Sequence, residues 1–263
     1  MTTQFRILPV FGSDPRATAE VVNGIMNGKT NNTGTITLGT SWATETTIYD
    51  ARISPDSKIV LIPFSDAAEN DSAPYGSFSN NNGQTAPSTT STNVVEFDST
   101  EEANGVYLSN TTRVYVRNAG VYNLMYSLQL SNSNNDAEYA DVWFRINGTD
   151  VPNSASRFGL PARKSTGDPS HLIGAMNIFL DLQAGDYVEI AGSVSNVSVE
   201  LEFIAADTGL PRPAIPAVIF TINYIAPMAY SNVYVSSQSK GSAVISHYAN
   251  NTADKTYAYI VVG

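Results

Sequence analysis

The chemistry open to this chain is set first by its nucleophilic and titratable side chains. Cysteine is absent from all 263 residues, which removes disulfides, thiolate nucleophiles and thiolate-ligated zinc. Two histidines are present. His171 follows Asp168-Pro169-Ser170 in a polar stretch, and His247 closes an apolar segment, residues 243–246. Composition leaves a serine–histidine–acid triad open, but no Gly-x-Ser-x-Gly elbow presents a serine as nucleophile. A local hydrogen bond or a neighbouring strand accounts better for His247. A polysaccharide-degrading enzyme would need two facing carboxylates. Glu101, Glu102, Asp136, Glu138, Asp141, Asp181, Asp186, Glu189, Glu200 and Glu202 supply the residue type. Their spacing marks no pair, and no β-helix rungs repeat around them. Solvated strand faces account for them better. Ser131-Asn132-Ser133-Asn134-Asn135-Asp136 offers oxygen ligands of the kind calcium takes. It lacks the glycine and spaced glutamate of an EF-hand and reads as a polar hairpin. No phosphate loop or dinucleotide fingerprint occurs. The expectation is no catalytic centre, no metal site and no cofactor.

The totals narrow the partners. The net charge is −10, and Arg163-Lys164 is the densest basic point, so no face suits a nucleic acid. No stretch approaches the ~20 apolar residues of a membrane helix, which argues against membrane insertion. Residues 1–7 carry no apolar segment of signal-peptide length, so synthesis in the cytoplasm without a signal peptide is expected. Apolar residues reach 42% while charged residues stop at 14%. A core is therefore affordable, and Ser, Thr, Asn and Gly fill the loops.

The elements that must position these side chains are mostly strands. One helix is predicted over residues 15–27, with Asp14 as N-cap, Pro15 at the first position, Ala19, Val22, Ile25 and Met26 in helical rhythm, and Gly28 as the stop. Period-two alternation then predicts strands at 35–38 and 46–49, and an apolar run predicts a buried one at 58–62. Residues 69–92 are dominated by Asn, Ser, Thr, Gly and Pro and read as a linker. Strands are predicted at 94–97, 105–108, 113–117, 120–130, 139–146, 176–182, 186–193, 197–204 and 217–225, with an extended loop at 153–173. Asn118-Ala119-Gly120, Asn147-Gly148 and Ala184-Gly185-Asp186 supply turns. About nine short strands at this spacing suggest a sandwich or jelly roll. Three more are expected at 232–235, 242–246 and 256–262.

Three motifs in the central region occur in an order that resembles the C1q/tumour-necrosis-factor-like jelly roll. They are Gly120-Val121-Tyr122, a strand ending in Ile146-Asn147-Gly148, and Leu182-Gln183-Ala184-Gly185-Asp186-Tyr187-Val188. The flanks resemble a recurring module of phage tail-fibre and virion proteins. Its opening half is Val21-Val22-Asn23, Asn27-Gly28-Lys29, the segment from Asn31 to Leu38, and Tyr49-Asp50-Ala51-Arg52-Ile53-Ser54-Pro55-Asp56-Ser57. Its closing half is Gly241-Ser242-Ala243-Val244-Ile245-Ser246-His247 and Tyr257-Ala258-Tyr259-Ile260-Val261-Val262-Gly263.

The expected fold is therefore all-β: a C1q/TNF-like jelly roll, residues 93–227, inserted into a small β-domain with one N-terminal helix. Residues 1–68 and 228–263 together form that domain as a particle-attachment module, joined through the 69–92 linker and a short stretch at 226–229. The resemblances imply a phage virion protein, a homotrimer contacting other capsid or tail proteins and a host surface glycan or protein. A fibre or tip subunit leads, capsid decoration or a head fibre stands beside it, and a polysaccharide-degrading tail enzyme comes last. Residues 217–225 are apolar on both alternating faces, one more than a sandwich requires. Ile219, Phe220, Ile222 and Tyr224 are accordingly expected at the trimer interface.

Overall fold

A computed structural model of the protein describes residues 14–27, 32–69, 72–209, 211–225 and 233–263. Strands take 56% of it and helices 6%, and the sheets are antiparallel, which fixes the class as mostly β. The chain divides into two compact units: Met1–Asp71 with Ser231–Gly263, and Ser72–Tyr230 between them in sequence.

The chain enters the first unit through helix α1 (Pro15–Met26), whose N-cap Asp14 accepts a hydrogen bond from the Arg16 amide at 3.1 Å. Pro15 suits the first turn because its missing N–H has no partner there anyway. Asn27 ends the helix, and the expected stop, Gly28, lies outside the described residues. Only Ala17 of the helix is buried. Strands β1 (Thr33–Thr37), β2 (Ala43–Tyr49) and β3 (Lys58–Pro63) follow, then one turn of helix, α2 (Asp66–Glu69).

Among its described residues the second unit contains fourteen strands. They are β4 (Tyr75–Asn80), β5 (Gln84–Thr85), β6 (Asn93–Val94), β7 (Ser99–Asn104), β8 (Val106–Ser109), β9 (Arg113–Val116) and β10 (Gly120–Asn132), then β11 (Glu138–Ile146), β12 (Thr149–Asp150), β13 (Ser156–Leu160), β14 (Ser170–Leu182), β15 (Tyr187–Val194), β16 (Val199–Leu201) and β17 (Val218–Tyr224). One sheet runs β5-β16-β10-β17-β4-β7, with β14 also pairing β10. The other runs β12-β11-β15-β9-β8, with β13 on β11 and β6 on β15. A single core joins them. Phe78, Tyr122, Leu124, Tyr126 and Phe220 come from the first sheet, and Val114, Phe144, Val188 and Ile190 from the second. The Phe144 ring bridges the layers, with centroids 5.3 Å from Tyr126 and 6.2 Å from Phe220.

Back in the first unit, β18 (Tyr234–Ser239), β19 (Ser242–Asn250) and β20 (Thr256–Val262) complete two three-stranded sheets, β1-β20-β3 and β18-β19-β2. Ile48, Ala243 and Ile245 of one sheet and Tyr257, Tyr259 and Val261 of the other share a core. At its margin Asp50 is held by Arg52 and accepts from the Tyr259 hydroxyl at 2.9 Å.

Three readings need correction. The 69–92 segment is not a linker. β4 lies within the first sheet of the central unit, between β17 and β7, and β5 pairs β16. Phe78 supplies its inward anchor, while Ser79 and Asn80 bury themselves by bonding Glu101 Oε1 (2.6 Å) and the Glu96 carbonyl (2.8 Å). Hydrogen bonding lets such polar residues occupy an interior that apolar periodicity does not signal. Residues 153–173 are not a loop throughout, since β13 pairs β11 and β14 already begins at Ser170. The expected strand at 94–97 pairs only through Asn93 and Val94, although Val95 and Phe97 are buried beyond it. Asn232 and residues 226–229 lie outside the described residues. No helix among the described residues is long and apolar enough to cross a membrane.

Candidate functional site

The two histidines occupy different settings. His247 lies within β19, buried, with Nε2 2.8 Å from Thr46 Oγ1 and Nδ1 2.7 Å from the Tyr248 carbonyl. A carbonyl only accepts, so Nδ1 carries the proton and Nε2 accepts from Thr46. His171 opens β14 on the outward face of the first central sheet, with Nδ1 2.9 Å from Glu202 Oε2. Register sets His171 opposite Ser131, and Ser131 opposite Glu200 on its other side. A serine, a histidine and two glutamates thus meet at one end of a sheet. Glu200 is pushed above the usual carboxylate range by burial and by the neighbouring Glu202 charge. Ser131 is buried and its Oγ makes no hydrogen bond, so the row lacks the nucleophile–base contact that activation requires.

Several of the acidic candidates hold structure. Arg157 grips Asp141 through two bonds of 2.7 Å, which holds that carboxyl below its ordinary range. Glu189, almost fully buried, accepts from Arg113 Nε at 3.1 Å. Glu138 accepts from Asn134 Nδ2 (2.6 Å) and Ser195 Oγ (2.5 Å). Asp186 closes its turn by accepting from the Gln183 amide at 2.7 Å. The 131–136 segment is bound to itself and to its neighbours. Asn132 Nδ2 donates to the carbonyls of Asp136 (3.0 Å) and Pro161 (2.9 Å), and Asn132 Oδ1 accepts from the Asn134 amide at 2.8 Å. Among the described residues no group of three acidic or histidine side chains could hold a metal ion.

The outward faces of the two central sheets differ. On the β12-β11-β15-β9-β8 sheet, Tyr107, Tyr115 and Tyr187 form one cross-strand row, with centroids 5.2 and 5.1 Å apart. Arg117 lies over Tyr107 at 4.2 Å and Arg113 over Tyr187 at 4.6 Å. Beside them Trp143 Nε1 donates to Asp150 at 2.7 Å, and Arg145 pairs with the same carboxylate at 3.0 Å.

The other outward face mixes large exposed apolar side chains with polar ones. Along β10 the bulky even positions Tyr122, Leu124, Tyr126, Leu128 and Leu130 fill the core, so Val121 and Met125 point out. On β14 the outward large apolar residues are Ile173 and Phe179, alternating with His171, Ala175, Asn177 and Asp181, and on the β17 side they are Ile219 and Ile225. Register places Ser127 between Ala175 and Ile219, Met125 between Asn177 and Thr221, and Asn123 between Phe179 and Asn223. Six large apolar side chains, each at least 42% exposed, therefore cluster on three adjacent strands. They alternate with polar residues on that face, and burying them against a partner would be favourable.

This geometry corrects the expected interface set. Ile219 alone of the four points outward. Phe220 and Ile222 are 1% and 0% exposed, in the sandwich core, and Phe220 lies against Phe78 and Phe97 at 6.4 and 5.8 Å. Tyr224 turns inward and meets the Tyr122 ring edge-on at 5.2 Å. Strand alternation sends neighbouring side chains to opposite faces, and the outward face of β17 carries Thr221 and Asn223 between its isoleucines. Sequence reasoning missed Val121, Met125, Ile173, Phe179 and Ile225. The signal available was parity: once the even side of β10 is all bulky, an apolar residue on its odd side is unexplained.

No protein-family model matches this sequence, and no curated protein matches it.

Proposed function

We propose that the protein is a structural subunit of a bacteriophage particle, a fibre or tip component that assembles as a homotrimer and contacts the host surface. The finer fold reading belongs to the same proposal: residues 72–230 form a C1q/TNF-like jelly roll, and the flanking unit attaches it to other virion proteins. The observation that carries it is the set of exposed apolar side chains Val121, Met125, Ile173, Phe179, Ile219 and Ile225 on one face of three adjacent strands. At about 4.8 Å between strands and 3.3 Å per residue, these side chains spread over roughly 10 Å across the strands and roughly 26 Å along them. They suit a partner that excludes water over the whole patch. The ordered motifs at Gly120, Asn147-Gly148 and Gly185-Asp186 support three copies around one axis, because the family they resemble associates that way.

Light scattering on the full chain tests the assembly. A particle of three times the 28.2 kDa chain mass is expected. Met125→Asp with Phe179→Asp should yield folded monomer. A wild-type chain that stays monomeric at micromolar concentration would remove the trimer and, with it, most of the support for the fold family. Gold-tagged antibody on purified particles tests position. Label on tail or fibre is expected, and label over the head would replace the fibre reading with capsid decoration.

A further inference from the structure

Between the two layers of the second unit lies a crevice of about 80 Å³. It sits where β5 pairs β16 in one sheet, β6 pairs β15 in the other, and residues 86–92 cross from the first to the second. Its floor belongs to the core: Leu128, Leu130, Val142 and Val199 are at most 4% exposed. Ala86, Ala140 and Gly192 also line it and are too small to fill it. Asn93 is the polar group that stands out. Its Oδ1 is buried and accepts no hydrogen bond. The other end of the amide fixes that orientation, because Nδ2 faces the Ser88 and Ser91 carbonyls, both at 3.4 Å, and a carbonyl only accepts. Asn93, Gln84 and Thr85 are shared with a wider outer depression of about 490 Å³, whose wall adds Thr92 and Thr112. Gln84 is pinned there by two 2.8 Å bonds, Nε2 donating to the Glu96 carbonyl and Oε1 accepting from the Glu96 amide.

We propose that this edge of the sandwich binds the acetamido group of an N-acetylated amino sugar. The methyl enters the crevice, the N–H donates to Asn93 Oδ1, and the hydroxylated ring lies in the outer depression. Size and chemistry select this occupant together. A cavity of ~150 Å³ takes benzene, so about half that volume has room for roughly three or four heavy atoms, an acetamido group but not a sugar ring. Water answers the buried acceptor poorly, because a water held in a cavity needs several polar partners and this lining is largely apolar. A hydrocarbon alone leaves Oδ1 unpaired, which is costly. A carboxylate meets no cation, since the charged residues lining the two hollows are Glu96, Asp141 and Glu200. An ammonium brings three donors to a single free acceptor. The neutral amide N–H supplies one donor beside one small apolar group. None of the exposed apolar side chains on the sheet face lines the crevice, and the site depends neither on the trimer nor on a place in a virion.

Saturation-transfer NMR on the full chain tests the site. The probes are the methyl glycosides of N-acetylglucosamine and N-acetylgalactosamine, each beside its glucose or galactose counterpart. At least one acetamido sugar should receive saturation, strongest at the acetyl methyl, and neither plain sugar should. Asn93→Ala removes the acceptor, and Ala86→Leu fills the crevice from the crossing segment. Each should weaken binding by about tenfold or more, the scale of one lost hydrogen bond in a dry site, with thermal melts showing that the variants fold. The comparison of sugars on the wild-type chain decides the matter even where a variant is unstable. No transfer to either acetamido sugar, equal transfer to the plain sugars, transfer centred on the ring protons, or folded variants that bind as wild type would each overturn the proposal. Loss of the trimer with acetamido binding intact would leave it standing.

Discussion

Neighbouring residues on β17 should respond to truncation in opposite ways. Phe220 is 1% exposed and lies within 6.4 Å of Phe78, Phe97 and Phe144 by ring centroid. Removing a ring from so full a core costs about 3–5 kcal/mol, transfer and cavity together. Domains of this kind are stable by roughly 5–15 kcal/mol, so Phe220→Ala forfeits about a fifth or more of the margin. At roughly 2–4 °C per kcal/mol for a domain of this size, its melting transition should fall by roughly 6–20 °C. Ile219, one residue earlier, is 42% exposed on the opposite face. Ile219→Ala should change the stability of the isolated unit by less than about 1 kcal/mol and act on assembly instead. Urea titration followed by tryptophan fluorescence, with light scattering on the same samples, separates the two. Association makes a midpoint depend on protein concentration. Ile219→Ala should weaken that dependence, and Phe220→Ala should lower the midpoint at every concentration. If Phe220→Ala dissociated the protein without lowering its midpoint, the assignment of inner and outer faces would be wrong.

Other perturbations follow from single contacts. Gly120 has φ +147°, and a Cβ there would meet the Tyr224 ring at 2.4 Å, so Gly120→Ala should cost at least about 1–2 kcal/mol, read as a lower urea midpoint. The Arg52 guanidinium and the Tyr259 hydroxyl hold the Asp50 carboxyl well below the usual carboxylate range. A lowered folded-state value means this stabilisation is present above about pH 4 and fades as the pH falls further. The acid limb of the flanking unit's stability curve should flatten in Asp50→Asn. Burial pushes the Tyr126 hydroxyl up to about 12. Its contribution is complete below about pH 10, where an unfolded tyrosine begins to ionise, and is lost as the pH rises toward 12. Tyr126→Phe should therefore hold its melting temperature between pH 10 and 12 better than wild type. His247→Ala removes a buried ring with two hydrogen bonds and should cost about 2–3 kcal/mol by thermal melt, whereas His171→Ala, on an exposed face, should stay within about 0.5 kcal/mol.

What could be read from the sequence follows from how each strand is buried. β10, β11 and β15 put bulky side chains on one parity, with Tyr122, Leu124 and Tyr126, Val142 and Phe144, and Val188 and Ile190 as the inward sets. Alternation of that kind survives in a single sequence. β4 and β7 do not alternate in hydrophobicity, because Ser79 is paid for by the Glu101 carboxylate rather than by apolar contact, and a bond between residues 22 apart has no local signature. β17 was legible as a strand and ambiguous as a surface. Its composition shows two partly apolar faces, and only the pairing of Phe220 with Tyr126 and with Phe78 decides which one meets the core. The candidate site lay one step further away. Val121, Met125, Ile173, Phe179, Ile219 and Ile225 are unremarkable singly, since scattered apolar residues are normal on a surface. They become a patch only when β14 and β17 settle on opposite sides of β10 in one register. Shifting either neighbour by one residue would turn its outward set into the core and its core set into the surface. The patch is therefore as firmly specified as the sandwich core itself, because the same inward residues fix both.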